Sequence, residues 1–260
     1  MKKRLIPRNL KLLIPGCGLL GLLLRILLVA TGTDGKGLIV SFHPAWIALL
    51  VLTFAVFAAL LLSSGSIRGA MDYKASFPRS LIAPAAGVLA AIAAGASLLR
   101  HLRGDGFIAI PPNIFTTAAF FLTGAVMVLA IIAFILAGLC RLTERKVPFL
   151  LHVVICVWFA LEMLDLYRTW SFDPQIQDYC FQLLACIALA MTAYQLASFD
   201  IDKGSHRKLW FWGLAATYLC CLCLDSGLFY IAGAAWAWSN LTTLRRRQRK
   251  TMETETPAAE

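Results

Sequence analysis

Glu162 and Asp165 lie in the stretch LEMLDLYRTW (161–170), which closes a long apolar run beginning at Val147. Carboxylates three residues apart point within ~60° of each other on a helix, and Trp158 joins them on the same face. Two close carboxylates hold protons more tightly unless a cation stands between them. Such a pair inside apolar surroundings can bind a cation, a proton or a small polar solute. Arg25, Gln182 and Asp225 also interrupt or border apolar stretches, and they complete the set of candidate site residues. Arg25 is the expected counter-charge. The plain structural alternative is a salt bridge between its segment and that of Glu162, with Asp165 wetted at a membrane interface.

No catalytic residue set is visible. The chain has no H-E-x-x-H, no P-loop and no G-x-S-x-G motif. The CCLC stretch (220–223) lacks the two-residue spacer of a metal-binding cysteine pair, and adjacent helical residues diverge by ~100°. Its thiols are expected to pack as small hydrophobes, so no metal and no cofactor is assigned. His152 sits alone within an apolar segment and is expected to be a hydrogen-bonded structural group.

The elements that must carry these residues follow from composition. The 260 residues are 60% hydrophobic and 15% charged, with a mean hydropathy of +0.75. A soluble domain of this size needs far more charged surface. The apolar residues come in blocks over 12–30, 43–62, 80–99, 114–139, 147–167 and 179–199, followed by a longer one over 209–244. About 20 helical residues cross a ~30 Å hydrocarbon layer, and only an internally hydrogen-bonded helix or a closed barrel tolerates that layer. The ~10-residue alternation of a barrel is missing. The last block would be ~54 Å long as one helix and carries the turn-like Asp225-Ser226-Gly227 near its middle. It therefore divides into 209–224 and 228–244. The expectation is an all-α, polytopic transmembrane helix bundle of eight spans, the last two short and open to being a hairpin that dips in and returns.

Charge orients it. The net charge of +10 does not form one basic face, which argues against nucleic acid; Lys and Arg gather instead at block ends. With the N-terminus in the cytoplasm, the inside segments carry nineteen Lys and Arg and the outside segments four, with Arg25 inside the first span. A cell-membrane protein with both termini cytoplasmic is expected, made of a basic N-terminus (1–11), a transmembrane domain (12–244) and a basic then acidic disordered tail (245–260). This orientation places Arg25, Glu162, Asp165, Gln182 and Asp225 in one layer near the outer surface. Ala83, Gly87, Ala91 and Gly95 recur every fourth residue in the third block, a stripe that brings helices close in lipid and predicts a helix surrounded by others or set in a protein interface. Trp46, Trp170, Trp210 and Trp212 read as interface anchors.

Two functions fit. The first is a non-catalytic membrane partner or assembly component, working through the small-residue helix, with basic ends suited to anionic inner-leaflet lipid. The second is a small transport-type protein that binds a cation or polar solute at the outer site. The first describes the sequence slightly better, because no repeat and no helix broken at mid-depth points to a transporter site.

Overall fold

The computed structural model describes residues 7–32, 43–65, 73–103, 114–170 and 179–244. The basic residues 1–6, the loop 104–113 and the tail 245–260 lie outside them. Every regular element among the described residues is helical. The long helices are α1 (Pro7–Thr31), α2 (Pro44–Ser64), α4 (Ile82–Leu102), α5 (Ile114–Leu142), α6 (Phe149–Trp170) and α7 (Cys180–Asp200). The short helix α3 (Tyr73–Ser76) precedes α4, and α8 (His206–Leu222) and α9 (Leu228–Thr242) complete the fold. The six long helices are apolar and long enough to cross a membrane.

Local sequence explains the boundaries. Pro44 opens α2 at its first position, where its missing N–H costs nothing, and His43 Nδ1 accepts from Ala45 N at 3.3 Å. The long final block breaks where expected. One 3-10 turn over Leu224–Ser226 leads into Gly227 at φ +128°, a conformation that L side chains rarely adopt.

Packing is centred on the shortest helices. α8 and α9 are about 26 and 23 Å long, yet α8 is buried along almost its whole length against α1, α2, α7 and α9. α9 lies between α8 and α4. Small residues permit this density: Ala215, Ala216, Ala232 and Ala237 are inaccessible, and Gly213 faces the Leu241 side chain. Trp158, Phe159, Phe134 and Trp236 make edge and tilted ring contacts across α5, α6 and α9. The outward faces carry bare apolar side chains, with Leu62 81%, Phe54 72% and Leu12 71% exposed. Such a surface suits hydrocarbon and not water.

The small-residue stripe is engaged within the chain. A side chain on Gly87 would meet Phe134 O at 2.9 Å, and one on Gly138 would meet Pro84 Cα at 3.0 Å, so α4 and α5 touch backbone to backbone. Ala83 and Ala91 are buried in the same seam, whereas Gly95 is half-buried with nothing nearer than Ile131 Cδ1 at 4.0 Å. The helix is not surrounded: Val88, Ile92 and Leu99 on its other face are exposed, because α5 and α9 cover only one side. Trp210, expected as an interface anchor, is buried beneath Lys11, whose Nζ lies 5.3 Å from the ring centroid.

Polar side chains collect in two rims at opposite ends of the bundle. One joins Lys11, Tyr73, Arg141, His152, Asp200, His206 and Asn240; the other joins Arg25, Arg100, Glu162, Gln182 and Ser226. α8 leaves the first rim at His206 and reaches the second before Asp225, and α9 returns to the first at Asn240.

Candidate functional site

The last three turns of α6 bring Glu162, Asp165 and Thr169 onto one face, at spacings of three and four residues. Glu162 is buried, and its Oε1 accepts from Trp158 Nε1 at 3.1 Å, one helical turn earlier on α6. The Ser97 hydroxyl of α4 also hydrogen-bonds Glu162. The nearest cation is Arg100, whose Nη2 lies 4.0 Å from Glu162 Oε2 and donates to Ser97 Oγ at 3.1 Å. Asp165 Oδ1 is enclosed without a hydrogen-bond partner.

Arg25 does not counter the two acids. It pairs with Asp225 at 3.5 Å and donates to Ser226 Oγ at 3.4 Å. The ion pair therefore joins α1 to the α8–α9 turn and not to α6. The reason is the turn itself, which brings a carboxylate to the end of α1, while α6 meets α4, α5 and α7 on its polar and packed faces. Gln182 joins the Arg25–Asp225 group, donating to Ser226 Oγ at 2.7 Å.

Two cavities flank this wall. One of about 240 Å³ lies between α4, α5 and α6, lined by Ser97, Arg100, His101, Leu122, Met127 and Leu161 together with Glu162 and Asp165. The second, of about 580 Å³, is bounded by α4, α6, α7 and the start of α9, and includes Thr169, Gln182, Ser226 and Tyr230. Arg100, Glu162 and Asp165 line both. Three of the five expected residues, Glu162, Asp165 and Gln182, line the larger cavity, and Arg25 and Asp225 are linked to it through Ser226. Asp225 lies one residue from the lining and accepts from Ser226 Oγ at 3.3 Å.

Arg100, Ser97 and His101 escaped sequence reasoning because Arg100 and His101 stand at a block end, where they read as loop charges. Their spacing was the available signal. Residues 97, 100 and 101 share a helix face if α4 continues through them, as it does to Leu102.

The opposite rim carries a second polar group that the sequence did not announce. His152 Nδ1 meets Asp200 Oδ2 at 2.5 Å, both side chains almost fully enclosed. Arg141, also buried, donates to Asn240 Oδ1 at 2.6 Å and stacks over Phe77 at 3.8 Å from the ring centroid. Burial pushes the Tyr73 hydroxyl up to about 12, against the pull of Arg141 and with added push from Asp200. Tyr73 N donates to Asp202 Oδ1 at 3.1 Å, and Lys146 pairs with the other oxygen of Asp202, so α3 is tied to the end of α7. Cys220 and Cys221 of α8, and Cys223 just after its end, are buried thiols.

No family model, no curated protein and no solved structure matches the chain. The arrangement of the side chains is therefore the ground for a functional reading.

Proposed function

We propose that the protein is an integral cell-membrane protein that crosses the bilayer eight times with both termini in the cytoplasm, and that its Glu162 rim is an outward-facing site for a small solute bearing a positively charged group. The activity is binding or passage, not catalysis. The observation that carries it is the pair of acids on a cavity wall: Glu162 and Asp165 border about 580 Å³ of space, with a single arginine, Arg100, 4.0 Å from Glu162. Carboxylates on a cavity wall that outnumber their cations favour a ligand that brings positive charge.

The alternative of a non-catalytic membrane partner rested on the small-residue stripe of α4. Gly87 of that stripe is packed against the α5 backbone within the chain, which weakens the main sequence argument for this alternative. The charge distribution of nineteen against four supports the proposed orientation, and Lys74, Arg79, Arg145 and Lys146 at the cytoplasmic rim suit anionic inner-leaflet lipid.

The test is a thermal-shift panel on the purified full chain with ethanolamine, spermidine, sodium and potassium. At least one organic ammonium should raise the midpoint, and the double substitution Glu162→Gln with Asp165→Asn should abolish that rise. A panel that shifts neither protein removes the proposal.

A further inference from the structure

The two cavities differ in character while sharing one wall, and this identifies the kind of ligand. The smaller presents Ala119, Leu122, Met127 and Leu161 as an apolar side, with Ser97, His101 and Thr123 beside the shared Arg100, Glu162 and Asp165. The larger adds the polar Thr169, Gln182 and Ser226 to apolar neighbours such as Leu166, Leu228 and Phe229. Charge stands where they meet. A free polar solute has no use for the apolar side, and a hydrocarbon has none for the acids.

Building on the solute-site reading, we infer that the ligand is an amphiphile with a phosphoethanolamine head, its ammonium held by Glu162 and Asp165, its phosphate by Arg100, and its chain in the apolar cavity between α4, α5 and α6. Three features specify this chemistry. A primary ammonium carries three donors, enough to serve the Glu162 and Asp165 carboxylates that line both cavities together, whereas a quaternary ammonium has none. The Arg100 side chain is 61% exposed and touches only Ser97 and Glu162 among the described contacts, which leaves its planar fork for phosphate oxygens. Leu122 lines the smaller cavity and is 68% exposed on the bare apolar belt, so that cavity opens toward hydrocarbon. The wall stands near the ends of α4 and α6, the level at which lipid head groups lie.

The chemistry of the head occurs both in lipid and in the free glycerophosphodiester, and one experiment separates them. Binding to the purified full chain in mild detergent is measured for lysophosphatidylethanolamine, lysophosphatidylglycerol and glycerophosphoethanolamine. Lysophosphatidylethanolamine should bind at least tenfold tighter than either of the others. Glu162→Gln with Asp165→Asn should erase its advantage over lysophosphatidylglycerol. Leu122→Trp, at an exposed position that spares the fold, should weaken the lysolipid at least fivefold and leave glycerophosphoethanolamine unchanged. Equal binding of the lysolipid and the free head overturns the amphiphile and leaves the polar-solute site standing. Equal binding of the two lysolipids, insensitive to the acid substitutions, overturns the head assignment. No binding by any of the three, with a thermal shift by spermidine that the acid substitutions abolish, also overturns the inference while preserving the site.

Discussion

At the scale of single residues, the deciding facts are the partners each charge has and lacks. Glu162 has three: Trp158, Ser97 and, more distantly, Arg100. Removing Arg100 leaves a buried carboxylate without its cation. Arg100→Leu should therefore destabilise the protein by about 1–3 kcal/mol, read as a fall in the thermal midpoint, and Arg100→Leu with Glu162→Gln should recover most of it. Failure of the second change to rescue the first would separate the two residues. Tyr73 gives a pH prediction. Its hydroxyl titrates near 10 when unfolded and at about 12 when folded, so the folded state favours the neutral form. The stability this represents is complete below about pH 10 and is lost as pH rises through 12. Tyr73→Phe should flatten the decline of the thermal midpoint over that window relative to wild type. Much of this scale was hidden from the sequence. That Glu162 and Asp165 share a face follows from helical periodicity, but that Asp225 takes Arg25 depends on where a turn lands in three dimensions, and that His152 meets Asp200 depends on two helices 48 positions apart in chain number.

At the scale of elements, helix positions were legible because lipid demands long apolar runs, and each expected block has a helix within a few residues of it. The break in the last block was legible too, since Asp225-Ser226-Gly227 carries turn chemistry and Gly227 adopts a positive φ. Which helices meet was not, because the outward and inward faces of a lipid-embedded helix are both apolar. α2 shows this: exposed Leu62 and buried Leu60 are the same residue type. Close approaches decide such cases. Gly87→Val places bulk against the Phe134 backbone and should cost about 1–3 kcal/mol, whereas Gly95→Ala, with 4.0 Å of room, should leave the thermal midpoint within about a degree of wild type or slightly raised. Equal effects from the two would contradict the α4–α5 seam.

At the scale of the whole molecule, the two polar rims divide the protein into ends of opposite orientation. An alkaline phosphatase inserted between Asp225 and Leu228 should be active, as expected outside the cell, and a fluorescent protein fused after Leu244 should fluoresce, as expected in the cytoplasm. A phosphatase that is active when fused after Leu244 instead would refute the cytoplasmic C-terminus. The charge bias is the ground for expecting this orientation, whereas the central location of α8 and α9 had no signal in the sequence. Their shortness made them read as short spans or a dipping hairpin, although short helices are what burial among other helices permits.

The same central hairpin has a consequence for biosynthesis. α8 and α9 leave the ribosome after α1, α2, α4 and α7, the helices that later enclose them. Until then the earlier helices are expected to stand around an unfilled groove, because the short α8 and α9 fill the space between them. Nascent chains stalled before His206 should accordingly be degraded rapidly or retained by the insertion machinery, while those stalled after Thr242 should be stable.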